Sequence, residues 1–134
     1  MTSKEFEENL FKYLGYLFYS IAAADKKVRN EERVILGKYI HEKRFETDCE
    51  TNLSATDAAL QIEFVFDYLI EKQADSYYAF SEFEIFYKKN KKIFTPKVKL
   101  LIWEVVNRIS LAFSEKNKSE LVILSKLEIL LKSN

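Results

Sequence analysis

The chain has 134 residues, 48% of them hydrophobic and 31% charged, which fits one globular domain with a real core and excludes a disordered chain. Lys plus Arg and Asp plus Glu both number 21, so the net charge is zero and no overall field marks the chain for nucleic acid or a membrane surface. Two Gly and one Pro are too few breakers for a fold of many short strands and favour long helices.

The charge is segregated all the same. Residues 1–87 carry 10 basic and 17 acidic side chains, a net of −7, and residues 88–134 carry 11 and 4, a net of +7. Complementary packing of the two halves accounts for this split, and so does a basic surface for an anionic partner. The N-terminal residues Met1 to Glu8 are acidic and lack the basic start and apolar run of a signal peptide. The longest nearly apolar window, Leu14 to Ala24, is about half of the ~20 residues a bilayer crossing needs. No membrane span is expected. One Cys, Cys49, and one His, His41, leave neither an internal disulfide nor a Cys/His zinc set, consistent with a reducing cytoplasm.

A first helix is predicted from Ser3 to Ala24, with Thr2-x-x-Glu5 as a capping box. Phe6, Leu10, Leu14, Leu17 and Ile21 fall on one face, and Phe11, Phe18 and Ala22 widen it. Gly15 inside this helix costs about 1 kcal/mol relative to Ala, which the close approach of another helix would explain. Asp25 to Arg29 forms a turn, and Asn30 is the expected N-cap of a second helix, with Glu31 and Glu32 in its first turn. Val34, Ile35, Tyr39 and Ile40 are its expected apolar stripe, and His41 lies in a solvated end. Residues 47–52 are polar and aperiodic and predict a loop.

The third segment, opening near Ser54 with Ser54-x-x-Asp57 as a cap, is ambiguous. Ile62, Phe64, Phe66, Tyr68 and Ile70 alternate like a strand, whereas Leu60, Phe64 and Tyr68, or Val65 and Leu69, fit a helix. Helix is preferred, because a lone strand has no ladder for its backbone groups. A fourth helix covers Tyr78 to Lys91. Phe80, Phe83, Phe86 and Tyr87 form its core face, and Tyr77 and Tyr78 are expected to be partly exposed and are candidate partner contacts. Thr95-Pro96 opens a fifth helix as N-cap and first-turn proline, and Val98, Ile102, Val105, Ile109 and Ala112 make its face. Asn117-x-x-Glu120 caps a sixth helix lined by Leu121, Leu124, Leu127 and Leu131.

Chemistry is sparsely signalled. No Gly-rich phosphate loop, Ser/His/Asp order or H-E-x-x-H occurs. Cys49 lies between Asp48 and Glu50, where negative charge raises a thiol's pKa and blunts a nucleophile. An enzyme is therefore not expected. Lys88, Lys89, Lys91, Lys92, Lys97 and Lys99 put six cations within twelve residues around Phe94, a candidate patch for an anionic partner. Without Arg or a helix-turn-helix, base readout is not expected, and a solvated helix end and loop is the preferred reading.

The stretch from Ala22 to Glu32 resembles the signature of the TerB family, the tellurite-resistance B-like domains. Ala22, Ala24, Asp25, Val28 and Glu32 match the family's pattern of small residues, Asp, a hydrophobic residue three positions on and Glu seven positions on. Lys26 replaces the usual Gly, and Arg29 replaces an acid or hydroxyl. Glu115 and Glu120, five rather than seven apart, look like a shortened second copy. The resemblance implies an all-α, single-domain bundle over 1–134 of about six to seven helices, built as two related helical hairpins whose acidic turns lie close together. It also implies a metal site: Asp25, Glu32, Glu115 and Glu120 are the candidate ligands for Ca²⁺ or Mg²⁺. Lys26, Lys27, Arg29, Lys116 and Lys118 crowd the same turns and oppose a cation; in the structural alternative Asp25 caps backbone donors and Glu32 pairs with a lysine. The expectation is a cytoplasmic, non-enzymatic protein-interaction module of a bacterial stress or tellurite-resistance-type system, with metal sensing and anionic-partner binding as the alternatives.

Overall fold

A computed structural model describes residues 3–24, 28–42, 55–112 and 118–132. Six α-helices follow in order: α1 (Ser3–Ala22), α2 (Asn30–Glu42), α3 (Ala55–Lys72), α4 (Ser76–Lys89), α5 (Pro96–Ala112) and α6 (Lys118–Lys132), with a short 3-10 turn at Lys91–Ile93 before α5. Among the described residues there is no strand, and the fold is all-α. No helix among them is long and apolar enough to cross a membrane. Thr2, residues 25–27 of the predicted turn with Asp25, residues 43–54 with Cys49, and residues 113–117 with Glu115 and Asn117 lie outside the described residues, as do the side chains of Glu5, Phe6, Asp57, Ala112 and Lys118.

The central element is α1, which packs most extensively on α3 and α4 and also meets α5 and α6. Its predicted stripe is buried: Leu10, Leu14, Leu17 and Ile21, widened by Phe11, Phe18 and Ala22. Ala23 and Ala24 carry the chain off the helix end through N–H bonds to the carbonyls of Tyr19 and Ile21 (2.8 and 3.3 Å). Gly15 explains how closely α3 approaches. A Cβ there would lie 2.9 Å from Val65 Cβ and Cγ1 and 3.2 Å from the Ile62 carbonyl oxygen, so only Gly admits this helix–helix distance.

α3 is a helix throughout, so the alternating pattern from Ile62 to Ile70 does not form a strand. Ala58, Ala59, Ile62, Val65, Phe66 and Leu69 face the core. In α4, Phe80, Phe83, Phe86 and Tyr87 are buried as the spacing predicts, and Phe94 from the 3-10 turn closes against three of them at ring-centroid distances of 4.7 to 6.0 Å. Thr95 caps α5: its hydroxyl accepts the Val98 N–H (3.3 Å) and its carbonyl the Lys99 N–H (2.9 Å).

Two predicted stripes are corrected. On α2, Ile40 is buried as predicted, but Val34 and Ile35 are exposed and Leu36 and Gly37 are buried, because the side of α2 that meets α3 and α5 is the one that carries Leu36, Gly37 and Ile40. On α6, Leu127 and Leu131 are buried as predicted, but Leu121 is exposed and Ile123 and Leu130 complete the buried face. The start of α2 also shifts by one residue. The Arg29 carbonyl accepts the Arg33 N–H (2.9 Å) and the Glu32 carboxylate accepts the Arg29 N–H (3.0 Å). Arg29 therefore holds the cap position and Asn30 is the first helical residue; Glu32 supplies the reciprocal half of a capping box.

Candidate interaction surface

Opposite its buried face, α3 turns a second apolar strip outward. Leu60, Phe64 and Tyr68, spaced four residues apart and so stacked on one side of the helix, are 53%, 72% and 48% exposed. The neighbouring helices add tyrosines of their own. Tyr13 and Tyr16 come from α1, Tyr68 from α3 and Tyr78 from α4, with Glu82 one turn beyond Tyr78. Tyr13 stacks on Phe86 (4.5 Å between centroids, 16° between planes) and lies 5.6 Å from the Tyr16 ring.

Two of these phenols, Tyr16 and Tyr78, are shifted by their surroundings. Burial pushes the Tyr16 hydroxyl above its ordinary value, and Tyr78, Glu82, Tyr13 and Tyr68 add to the effect. The Tyr78 hydroxyl is raised chiefly by the negative charge of Glu82, to which it donates a hydrogen bond. Cations already rest on the rings at the margin: Lys12 Nζ stands 5.3 Å from the Tyr13 centroid and Lys72 Nζ 5.7 Å from that of Tyr68. The result is a face shared by three helices that is aromatic, half-exposed and rimmed by charge.

The α3–α4 turn fixes this face. Gln73 takes a left-handed conformation (φ 52°), its N–H bonds the Ile70 carbonyl (3.0 Å), and the Ala74 N–H bonds the Leu69 carbonyl (3.1 Å). This is a Schellman ending, with Gln where Gly is usual. The Ala74 carbonyl then accepts the buried Tyr19 hydroxyl from α1 (2.7 Å), and the Asp75 carboxylate caps α4 by accepting the Tyr78 N–H (3.0 Å). Burial, with Asp75 nearby, raises the Tyr19 phenol. Sequence reasoning missed this turn and started α4 two residues late. Asp75 followed by a helical aromatic run was the available signal, whereas Gln73 announced nothing.

On the other flank of α3, Arg33 of α2 donates to Glu63 (Nη2–Oε2, 2.8 Å) and grips Asp67 with Nε and Nη2. These partners hold its guanidinium well above the usual range, against the opposing effect of burial. His41 pairs with the second oxygen of Glu63, so it is not simply solvated. Gly37 leaves room for this network: a Cβ there would lie 2.6 Å from Arg33 Nη1 and 2.9 Å from Glu63 Oε2.

The candidate metal ligands have separate roles where they are described. Glu32 is occupied by the Arg29 N–H, a backbone partner where a lysine was the structural expectation. Glu120 is 3% exposed and accepts the Ser110 hydroxyl at 2.5 Å, which ties α6 to α5. Asp25 and Glu115 lie outside the described residues. Among the described residues no group of three or more His, Cys, Asp or Glu side chains stands close enough to hold an ion.

The basic stretch spans α4, the 3-10 turn and α5. Lys88 pairs with Glu84 (3.8 Å), Lys89 ends α4, Lys91 and Lys92 lie on the 3-10 turn, and Lys99 rests 5.8 Å from the Tyr87 ring. Phe94, the ring expected among these lysines, is buried and offers no stacking face. Tyr77 and Tyr78 are both half-exposed as expected, but they point different ways. Tyr78 joins the aromatic face, while Tyr77 lines a cleft with Phe80, Ile129 and Leu130 and carries Lys126 5.4 Å from its ring.

Comparison with models of known protein families gave no match, and neither the curated proteins nor the solved structures gave a significant one.

Proposed function

We propose that this chain is a non-enzymatic, TerB-like interaction module of a bacterial stress-response or tellurite-resistance-type system, acting in the cytoplasm, and that it docks a protein partner through the aromatic face of α1, α3 and α4. One observation carries the docking surface: Leu60, Phe64 and Tyr68 of α3 and Tyr78 of α4 are all about half-exposed or more, and both helices pack on α1, which carries Tyr13 and Tyr16. Single exposed apolar residues are ordinary, but contiguous apolar surface rimmed by polar groups marks interaction sites. Tyrosine suits such a site, because its stiff ring gives area and its hydroxyl tolerates water when the partner is away. The TerB-like assignment and its biological setting rest on the resemblance carried by Ala22, Ala24, Asp25, Val28 and Glu32.

The test is capture from the native cell with the full chain and with its Phe64→Ser/Tyr68→Ser variant in parallel. The wild type should enrich a protein that the variant loses, with the variant's circular dichroism unchanged. Equal enrichment by both would place the contact elsewhere.

A further inference from the structure

α2 is fastened to the bundle differently from α1, α3 and α4. It lies mainly against α3 and α5, and its buried side is short: Leu36, Gly37 and Ile40. Gly37 has no side chain, so Leu36 and Ile40 are the buried side chains of the helix, with Tyr39 partly buried beside them. The rest of the attachment is polar. Arg33, Gly37 and His41 stand four residues apart and line one side of α2. The Glu63 carboxylate of α3 lies along that line. Its Oε2 accepts from Arg33 Nη2 (2.8 Å), its Oε1 pairs with His41 Nε2, and its Oε2 would stand 2.9 Å from a Cβ at residue 37. Asp67, one turn further along α3, holds Arg33 as well (Nη2–Oδ2, 2.9 Å), and Arg108 of α5 stands 5.4 Å from the Tyr39 ring.

α1, α3 and α4 hold one another through contacts in which α2 has no part. Val65 packs on Gly15, Tyr13 stacks on Phe86, and the Tyr19 hydroxyl reaches the Ala74 carbonyl. We infer that α2 is a strap: it comes off α3 and α5 as one unit while the packing of α1, α3 and α4 persists, and the Glu63 carboxylate is the catch that holds it down. Units with few buried apolar contacts open at a lower free energy than the whole domain. A detached helix of 13 residues is marginal in water and unwinds, so its amides report the opening. Open, the strap turns Leu36 and Ile40 out to water and releases the Glu63 and Asp67 carboxylates, and the two states offer a partner different surfaces. The device does not depend on the aromatic docking face.

The experiment follows amide hydrogen exchange of the full-length chain at several urea concentrations below its unfolding transition. The Leu36, Gly37 and Ile40 amides should exchange faster than those of Leu17 and Phe66 and depend less on urea. Tyr19→Phe removes a bond that persists when α2 is open; it should speed Leu17 and Phe66 about fivefold and leave the α2 amides unchanged. Glu63→Gln weakens contacts that opening itself breaks, so it should speed the α2 amides about tenfold. Gly37→Ala separates the catch from the helix. Helix propensity alone would slow α2 exchange about fivefold, whereas the added Cβ displaces the ends of Arg33 and Glu63 and should speed it. α2 amides that exchange together with Leu17 and Phe66 at every urea concentration, or that Tyr19→Phe speeds as much as them, overturn the strap. A separate α2 opening that either Glu63→Gln or Gly37→Ala fails to speed overturns Glu63 as its catch.

Discussion

α3 and α4 carry similar aromatic and aliphatic loads, and each divides them between core and surface. In α4, Phe80, Phe83, Phe86 and Tyr87 are buried against α1 and Phe94, and Tyr77, Tyr78 and Ile85 are exposed. In α3 the load is split: Ile62, Val65, Phe66 and Leu69 go inward, and Leu60, Phe64 and Tyr68 go outward. Core packing accounts fully for the inward set. It gives no reason for three large apolar side chains on the opposite side, and that surplus is the basis of the functional reading.

The largest expected effect is on the α4 side. Phe83→Ala removes a fully buried ring and should cost about 3–5 kcal/mol in urea unfolding, whereas Phe64→Ala should stay within about 0.5 kcal/mol. Gly15→Ala comes next. The substitution gains about 1 kcal/mol of helix propensity, yet it pushes a methyl into Val65 and the Ile62 carbonyl and should lower stability by about 1–3 kcal/mol. A neutral or stabilising result would mean that α1 and α3 are not packed this closely.

Tyr19→Phe should cost about 1 kcal/mol by leaving the buried Ala74 carbonyl without its donor. The same phenol predicts an alkaline limit. Its folded pKa, like those of Tyr16 and Tyr78, is raised above the ordinary 10.0. Above that value the unfolded chain loses protons that the folded chain keeps, so stability is intact below it and falls as pH rises through the folded values. Urea midpoints measured on both sides of this limit test the sign. Gln73→Gly should raise stability by about 0.5–1 kcal/mol, since Gly takes the left-handed position without steric cost. A loss there would show that the α3–α4 turn ends differently.

Much of the interior was legible in the sequence, because spacing alone locates an apolar face when a helix has just one. The predicted faces of α1, α4 and α5 are buried where they are described, although Tyr77, Tyr78 and Ile85 of α4 and Leu100 and Leu111 of α5 are exposed. Spacing succeeds only in part for α2 and α6, where apolar residues lie on both sides: Ile40, Leu127 and Leu131 are buried as the spacing predicts, whereas Val34, Ile35 and Leu121 are exposed and Leu36 and Ile123 are buried. For α3, Leu60–Phe64–Tyr68 is as good a stripe as the buried one, and spacing does not say which of two stripes is covered. The candidate surface was half legible. Tyr78 was singled out as exposed, but its neighbours Tyr13, Tyr16 and Tyr68 come from two other helices and meet it only in the folded chain. The Arg33–Glu63–Asp67 bridge joins residues at least 30 positions apart, which no local pattern encodes.

The most direct test of the central claim is the unfolding free energy of the Phe64→Ser/Tyr68→Ser variant. An outward strip predicts a value within about 1 kcal/mol of the wild type, because little apolar surface leaves the core. A loss approaching the about 3–5 kcal/mol expected for Phe83→Ala would contradict it and assign the strip to the core instead of to a partner.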